Sequence, residues 1–153
     1  MLYVVPLTTL DEALLLAEIR NECRQWMTND QHEISHSEQA DWFFEVYQKQ
    51  SPQFYNVWLL KEMNEKKDPV LGYFAAKECP DSFYVTEGLL ESRRGQGAGT
   101  FLLQTLLSYE IFKNKKIHAD IFNYNQASIR LHQKFGFKPY KIINNQITRF
   151  SLC

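Results

Sequence analysis

Short apolar segments alternate along the chain with stretches in which apolar residues recur at helical spacing. Four apolar segments rich in β-forming residues lie in the first 90 positions, at 2–7, 54–61, 70–77 and 83–90. Polar turns separate the last three of these, which predicts an antiparallel meander. Helical spacing predicts helices at about 9–23, from 35 onward, at 97–112 and at 126–135. Further strands are predicted at 116–122 and, on either side of the Asn144-Asn145 turn, at about 137–142 and 146–152.

Two of the predicted helices begin with the same pattern of residues. Thr9 is followed by Glu12, and Ser35 is followed by Glu38. In such a capping box each side chain bonds to a free backbone amide of the first helical turn. The helix that begins near Ser35 is expected to carry Trp42, Phe43, Val46 and Tyr47 on one side, at helical spacing.

Composition limits the classes of function. The 153 residues fit one domain, 1–153, since no linker or repeat divides them. Seventeen basic and eighteen acidic residues give a net charge of −1, without the basic excess typical of proteins that bind nucleic acid or anionic membranes. Cys23, Cys79 and Cys153 lack metal-binding spacing and are expected to be reduced thiols. With no signal peptide and no membrane-spanning run, we expect a cytoplasmic protein.

The most informative segment is a glycine-rich turn that follows a strand and opens a helix. It reads Arg94, Gly95, Gln96, Gly97, Ala98, Gly99, Thr100. Glycines let a backbone approach a ligand closely. The free amides and positive dipole end of the helix suit a phosphate, and Arg93 and Arg94 add positive charge. The spacing is neither G-x-G-x-x-G nor a nucleoside-triphosphate loop, so a simple helix start is the alternative explanation.

A second pattern covers residues 125–137, which read NQASIRLHQKFGF. Asn125 is suited to cap a helix. Ala127, Leu131 and Phe135 recur every four residues and are expected to face the core. Ser128 and His132, also four apart, form a small polar stripe below Asn125.

Together the two segments resemble the GNAT superfamily of acetyltransferases. The turn resembles the family's coenzyme A pyrophosphate loop, R-G-x-G-x-G, and residues 125–137 resemble its N-x-A-x-x-x-L-Y-x-K-x-G-F segment. The resemblance covers about residues 70–140. It implies an α/β (α+β) GNAT fold: one mixed, mostly antiparallel sheet of about seven strands, flanked by about four helices. It also implies acetyl-coenzyme A as co-substrate, with no metal.

The resemblance further implies a cofactor site. In the family the strand before the turn pairs its backbone with the pantetheine arm, and the amide at Leu89 would polarise the thioester. The implied cofactor-binding residues are Glu87, Gly88, Leu89, Arg94, Gly95, Gln96, Gly97, Ala98, Gly99, Thr100, Asn125, Ser128 and His132.

Three residues are candidates for proton transfer. His132 stands where the family often has a Tyr that protonates the departing thiolate. An imidazole titrates near neutral pH, so His132 could be the acid, could only contact the coenzyme, or could be a structural histidine. The amine proton would go to Asp120, which we favour, or to Glu87; either carboxylate could instead bind the substrate ammonium. Direct transfer in a ternary complex is expected, in preference to an acetyl-cysteine on Cys79 or Cys23.

The acceptor should be selected by the first 50 residues. Arg20-Asn21, Arg24 and Trp26-Met27, followed by Glu33-Ile34-Ser35 and Trp42-Phe43, resemble GNAT enzymes that acetylate nucleotide-linked amino sugars. Arg20 and Arg24 could hold a phosphate, and Trp26 and Trp42 could stack on a ring. The alternative is that the arginines are solvated and the tryptophans belong to the core.

Other functions stay open. The acceptor could be a protein N-terminus or a polyamine, or the chain could bind coenzyme A without catalysis, since position 132 lacks the Tyr. Nucleic-acid binding would rest only on Lys113, Lys115 and Lys116, which are better explained as complements to a helix dipole. We therefore expect a small-molecule amine as partner, no nucleic acid and no membrane, in a monomer or homodimer.

Overall fold

One sheet runs through the part of the chain that the computed structural model describes, residues 1–51 and 54–153. Its strands are β1 (Leu2–Pro6), β2 (Tyr55–Glu62), β3 (Val70–Glu78), β4 (Ser82–Leu89), β5 (Lys116–Phe122), β6 (Lys138–Ile142) and β7 (Ile147–Leu152). They lie in the order β1-β2-β3-β4-β5-β7-β6, and every neighbouring pair is antiparallel except β4 and β5. The predicted meander of β2, β3 and β4 and the mixed, mostly antiparallel α/β fold are confirmed.

Four α-helices within the described residues accompany the sheet. They are α1 (Leu10–Glu22), α2 (His36–Trp42), α3 (Ala98–Leu107) and α4 (Gln126–Lys134). Both predicted capping boxes form, at Thr9 with Glu12 and at Ser35 with Glu38. None of the helices in the described ranges is long and apolar enough to cross a membrane.

Apolar clusters cover the sheet unequally on its two faces. The larger cluster packs α3 against strands from both halves of the sheet and includes Phe74, Phe83, Leu102 and Phe150. The smaller cluster packs α1 and Phe43 against β2 and β3. Among the described residues this second cluster takes none from β5, β6 or β7.

The chain crosses from β4 to β5 through α3, and the two parallel strands then diverge. In the described structure they pair only where Ser82–Tyr84 lie beside Lys116–His118. Beyond Tyr84 a gap opens in the middle of the sheet. This gap holds the candidate site.

Two predicted helices differ from the observed ones. The predicted helix at 97–112 ends at Leu107, where the Ser108 hydroxyl donates to the carbonyl of Thr105 and Tyr109 is extended; a separate 3-10 turn then covers Glu110–Phe112. The helix after Ser35 widens into a π-helical turn over Phe43–Tyr47. Because that turn changes the residue spacing, Val46 is exposed while Phe43 is buried, so the two do not share one environment as their helical spacing indicated.

Candidate active site

A long cleft of about 730 Å³ lies along the gap between β4 and β5. It is bordered by the end of α1, β4, the glycine-rich turn, α3 and α4. Most of the predicted cofactor residues line it: Glu87, Gly88, Leu89, Arg94, Gly95, Gly97, Gly99, Thr100, Asn125 and Ser128. The structure therefore brings the two sequence motifs to the same hollow.

The glycine-rich turn has a backbone that other residues adopt only with strain. Gly95 has φ 74° and Gly97, the residue before α3, has φ 85°. An added Cβ at either position would meet nothing within 4 Å, so the backbone angle rather than space requires glycine there. No side chain in the described structure caps α3 at Gly97. Its first amides are therefore free to bind an anion.

Gly88 has a different reason to be glycine. A Cβ there would lie 2.6 Å from Cε1 of Tyr73 and 3.4 Å from Sγ of Cys23. The buried Cys23 thiol donates to the carbonyl of Leu89 at 3.1 Å and accepts from Arg94 at 3.2 Å. Burial raises the pKa of this thiol in spite of the nearby guanidinium. Cys23 and Arg94 thus tie the end of α1 to the strand that borders the cleft.

Glu87 and His132 form a buried pair between β4 and α4. Oε1 of Glu87 lies 2.6 Å from Nε2 of His132, and the two side chains are 14% and 1% exposed. Nδ1 of His132 donates to the carbonyl of Ser128 at 2.7 Å. The contact at Nε2 lacks normal hydrogen-bond angles, and Oε2 of Glu87 is buried with no hydrogen-bond partner among the described residues. A nitrogen and a carboxylate oxygen this close require a proton on one of them.

The charge of His132 is set by two opposing effects. Burial alone would lower the pKa of its imidazole, but the carboxylate of Glu87 and the Ser128 carbonyl outweigh burial and raise that pKa. The imidazolium–carboxylate form of the pair is therefore favoured.

One residue of α4 differs from its predicted place. Ala127, expected to face the core, is exposed and lines the cleft, because the buried side of α4 carries His132.

A smaller cavity of about 50 Å³ passes through the gap in the sheet. Glu87 and His132 line it on the side of α4, and Thr86 and Asp120 line it on the opposite face. Glu87 also lines the long cleft, so it lies where the two hollows meet. The cavity is large enough for a few waters or a terminal amino group, at about 10–15 Å³ for each water.

Asp120 is bound to an arginine on the neighbouring strand. Nε and Nη2 of Arg149 donate to its two carboxylate oxygens at 2.7 and 3.0 Å. Asp120 shares one face of β5 with His118, as predicted, and His118 contacts the Ser151 hydroxyl at 2.5 Å. Both oxygens of Asp120 are thus engaged, in contrast to Oε2 of Glu87.

The two arginines expected at an acceptor phosphate do not converge. The guanidinium of Arg20 is buried and donates to the carbonyls of Asp30 and His32. Arg24 is half exposed and pairs with Glu33 at 3.2 Å. Arg20 therefore supports the loop between α1 and α2. The structure differs here from the predicted phosphate site, because the loop's own carbonyls provide the acceptors.

The two tryptophans have different surroundings. Trp26 lines both hollows, and its ring lies 5.8 Å from that of Tyr124, whose hydroxyl donates to the carbonyl of Gln25 at 3.2 Å. Trp42 packs on Tyr47 and Tyr55 and lines neither hollow in the described structure. Its predicted stacking on an acceptor ring is replaced by core packing.

Three residues of the glycine-rich segment lie outside the cleft wall. Gln96 is exposed and its amide donates to the carbonyl of Ser92, whereas Ala98, the first residue of α3, is buried. Arg93 pairs with Glu62 through two contacts of 3.0 and 2.7 Å, so it does not add charge to the turn. His132 lines the small cavity and is not among the described residues of the long cleft.

Sequence reasoning did not identify several residues that line the long cleft. Arg130 and Lys134 stand one helical turn apart on the cleft side of α4, and their i, i+4 spacing was the available signal. Tyr124 also contributes to the wall, and nothing local in the sequence marks it; Cys23 and Met27, which the sequence named for other roles, lie there too. Among residues 1–51 and 54–153, no cluster of histidine, cysteine and carboxylate side chains is arranged to hold a metal ion.

Comparison with known proteins gives consistent results. A model of the Acetyltransferase (GNAT) family matches residues 15–137. A spermine/spermidine N(1)-acetyltransferase of Bacillus subtilis is 37% identical over 60 residues, which are 38% of this chain and 37% of that protein. The match thus spans little more than a third of the length of that curated relative.

Solved structures match over nearly the whole chain. An N-acetyltransferase from Staphylococcus aureus Mu50 has a TM-score of 0.74 at 23% identity, covering 99% of this chain and 98% of that one. A spermidine N-acetyltransferase from Vibrio cholerae, solved with CoA and spermine, has a TM-score of 0.75 at 17% identity, covering 99% and 94%. At such identities the likeness establishes the fold. Neither these structures nor the Bacillus relative supports the branch that acts on nucleotide-linked amino sugars.

Proposed function

Because the chain belongs to the acetyltransferase (GNAT) family, we propose that it transfers the acetyl group of acetyl-coenzyme A to a primary amine of a small molecule. The observation that carries this proposal is the Glu87–His132 pair at the junction of the two hollows. A group that can take a proton thus stands where an acyl donor in the long cleft and an amine in the small cavity would meet.

The long cleft suits coenzyme A. The uncapped start of α3 offers free amides, and Arg94, Arg130 and Lys134 border the same hollow. This combination fits an elongated ligand with several phosphates. Acetyl-coenzyme A would supply the activated acetyl group, and the residues of the turn and of α4 would hold it.

Glu87 is the residue that we assign to take the amine proton. Glu87 lines the cavity, and its Oε2 is buried with no hydrogen-bond partner among the described residues. The imidazolium of His132 contacts the other oxygen and would hold the carboxylate in position. Since His132 lines only the small cavity, this positioning role suits it better than that of an acid toward the coenzyme thiol. Asp120, favoured from the sequence, is engaged by Arg149 and would orient the acceptor.

Two acceptor classes have support. A polyamine is supported by the likeness to the spermine/spermidine acetyltransferase of Bacillus subtilis. A nucleotide-linked amino sugar is supported by the sequence resemblance of residues 20–43, although Arg20 and Trp42 have structural roles.

Release of free thiol from acetyl-coenzyme A tests the proposal. Polyamines, amino sugars, nucleotide-linked amino sugars and short peptides would be compared for the wild-type protein, Glu87→Gln and Glu78→Gln. Glu78 is an exposed carboxylate at the end of β3 and serves as the matched control. We expect Glu87→Gln to lower kcat about 100-fold and Glu78→Gln to leave it unchanged. Tight coenzyme binding without turnover of any amine would favour a binding module and overturn the proposal.

A further inference from the structure

Cations and aromatic rings cover one face of β4, β5, β7 and β6, on the side where the apolar cluster around α1 includes no described residue of β5–β7. We call this surface the basic-aromatic face. Its members are Tyr84, Lys116, His118, Lys138, Tyr140, Lys141 and Arg149.

Ring contacts make part of this surface continuous. The Lys116 ammonium lies 5.0 Å from the centre of the Tyr140 ring, and the Tyr140 ring lies 5.2 Å from that of His118. Tyr84 lies 4.9 Å from His118, and the Arg149 guanidinium lies 4.8 Å from the Tyr84 ring. The rings are held in place from β4 across to β6.

Strand register adds two lysines to the same face. Lys138 is opposite Ser151, and Lys141 is opposite Arg149. Residues opposite one another in an antiparallel pair project to the same side of a sheet. No ion pair joins Lys116, Lys138 or Lys141 to a carboxylate in the described part of the chain, whereas Asp120 on this face is already paired with Arg149.

The positive charge of this face is local, because the whole chain has a net charge of −1. Burial, followed by the charges of Arg149 and Lys116, lowers the pKa of the His118 imidazole, although the carboxylates of Asp120 and Asp81 act in the opposite direction. Acidic side chains of the loop between α1 and α2 and of the start of α2 are engaged by other groups. Asp30 and Glu38 contact His32 at 2.6 and 3.0 Å, and Glu33 pairs with Arg24.

The face leads directly to the small cavity. Asp120, which Arg149 holds, lines that cavity, and so does Thr86, two residues along β4 from Tyr84. An acceptor whose amine enters the cavity from this side therefore has the rest of its structure over the basic-aromatic face.

We propose that the acceptor carries an anionic group, a phosphate or a carboxylate, which binds to the basic-aromatic face while its amine enters the cavity beside Glu87. This inference rests on the proposed acetyltransferase function and narrows its substrate class. A polycationic acceptor would meet like charges on this surface. The free lysines supply the attraction, and the tyrosine rings supply a flat apolar surface beside them.

Binding of inorganic anions tests the face without requiring turnover. The protein would first be saturated with coenzyme A, so that the long cleft is blocked, and then titrated with inorganic pyrophosphate or with citrate while lysine side-chain NMR signals are followed. The variant Lys116→Gln/Lys138→Gln/Lys141→Gln would be compared with Lys66→Gln/Lys67→Gln/Lys115→Gln, which removes three exposed lysines elsewhere.

We expect both anions to shift signals of the basic-aromatic face, and the first triple variant to bind about tenfold more weakly than the wild type and the control. Added salt should weaken the binding. The anion that binds more tightly identifies the phosphate or the carboxylate as the preferred group. Equal affinity in all three proteins, or no binding to the wild type, would overturn the inference.

Kinetics separate this inference from the proposed function. Ethanolamine and O-phosphoethanolamine present the same amine with and without a phosphate. The first triple variant should lower kcat/KM for the phosphorylated amine about tenfold and leave that for ethanolamine unchanged. If neither of these amines nor any other is acetylated, the proposed function is contradicted. The anion-binding experiment does not depend on turnover and still tests the basic-aromatic face. A change of oligomeric state in the variant would show that a second copy covers this face and would overturn the inference.

Discussion

Asp120 and Arg149 face each other across β5 and β7 and share two hydrogen bonds of 2.7 and 3.0 Å. Their side chains are 24% and 19% exposed, and Arg149 also donates to the Tyr84 hydroxyl at 3.3 Å. A carboxylate with both oxygens bound to a guanidinium is poorly placed to take a proton from an amine. The two carboxylates at the small cavity thus differ: both oxygens of Asp120 are engaged, whereas Oε2 of Glu87 has no hydrogen-bond partner among the described residues.

The variant Asp120→Asn should keep most of the turnover rate and lose stability. We expect kcat to fall less than about tenfold, against about 100-fold for Glu87→Gln. Breaking a half-buried, two-point ion pair should lower the free energy of unfolding by about 1 kcal/mol. Steady-state kinetics and urea unfolding measure the two effects. A loss of kcat as large as that of Glu87→Gln would make Asp120 the base.

The Glu87–His132 pair should make stability depend on pH. The pKa of His132 in the folded protein is raised above its ordinary value of 6.5. Its contribution to stability is therefore complete below pH 6.5 and is lost as the pH rises through the folded-state pKa. Without the carboxylate, burial dominates and the pKa of His132 should fall. The difference in unfolding free energy between the wild type and Glu87→Gln should reach about 3 kcal/mol below pH 6.5 and shrink at higher pH.

Urea unfolding at a series of pH values measures this difference. Glu78→Gln, which removes an exposed carboxylate, should give a difference that does not change with pH. A difference for Glu87→Gln that grows with rising pH would contradict a raised pKa for His132.

Substitution of Gly97 tests the backbone of the glycine-rich turn. Gly97 has φ 85°, and an added Cβ meets nothing within 4 Å. Gly97→Ala should therefore cost about 1 kcal/mol of stability through backbone strain alone. Gly97→Asn should cost less although its side chain is larger, because asparagine tolerates this conformation better. Denaturant unfolding gives both values, and a milder effect of alanine than of asparagine would point to a steric cause.

The cysteines should differ in reactivity. Cys153 is exposed, whereas Cys23 is buried and the pKa of its thiol is raised. A thiol reagent should therefore modify Cys153 first and Cys23 at least about tenfold more slowly. Since Cys23 lines the long cleft, coenzyme A should slow its modification further. Peptide mapping of the modified protein measures both rates, with Cys153 as the internal control, and acceleration of Cys23 labelling by coenzyme A would contradict its place in the cleft wall.

Local sequence signals predicted those parts of the fold that depend on neighbouring residues. The capping boxes at Thr9 and Ser35 follow from pairs of residues that are three positions apart. The contact between Glu87 and His132 joins two distant segments, so both residues could be named from motifs but their pairing could not. The motifs named most residues that line the long cleft, whereas the contact between Glu87 and His132 became visible only in three dimensions.

The fate of the charged and aromatic residues in the first 50 positions shows the limit of sequence patterns. Arg20 and Arg24 stand one helical turn apart, which suits a shared anion, but carbonyls of the following loop take up Arg20. Arg149 belongs to no motif, yet it donates hydrogen bonds to both carboxylate oxygens of Asp120. In each case the group that binds the guanidinium lies on a loop or strand distant in sequence, so local patterns do not predict it.

The short pairing of β4 with β5 has a mechanical consequence. The sheet consists of a section built from residues 2–89 and another built from 116–152, and in the described structure the two are hydrogen-bonded only where Ser82–Tyr84 meet Lys116–His118. Local opening of a fold without complete unfolding is expected where few hydrogen bonds join two sections. Amides of β4 and β5 near the junction should therefore exchange with solvent before amides inside either section. A ligand that touches β4 and α4 together acts as a brace between the sections. Binding of a ligand in the cleft should therefore slow amide exchange in both sections of the sheet.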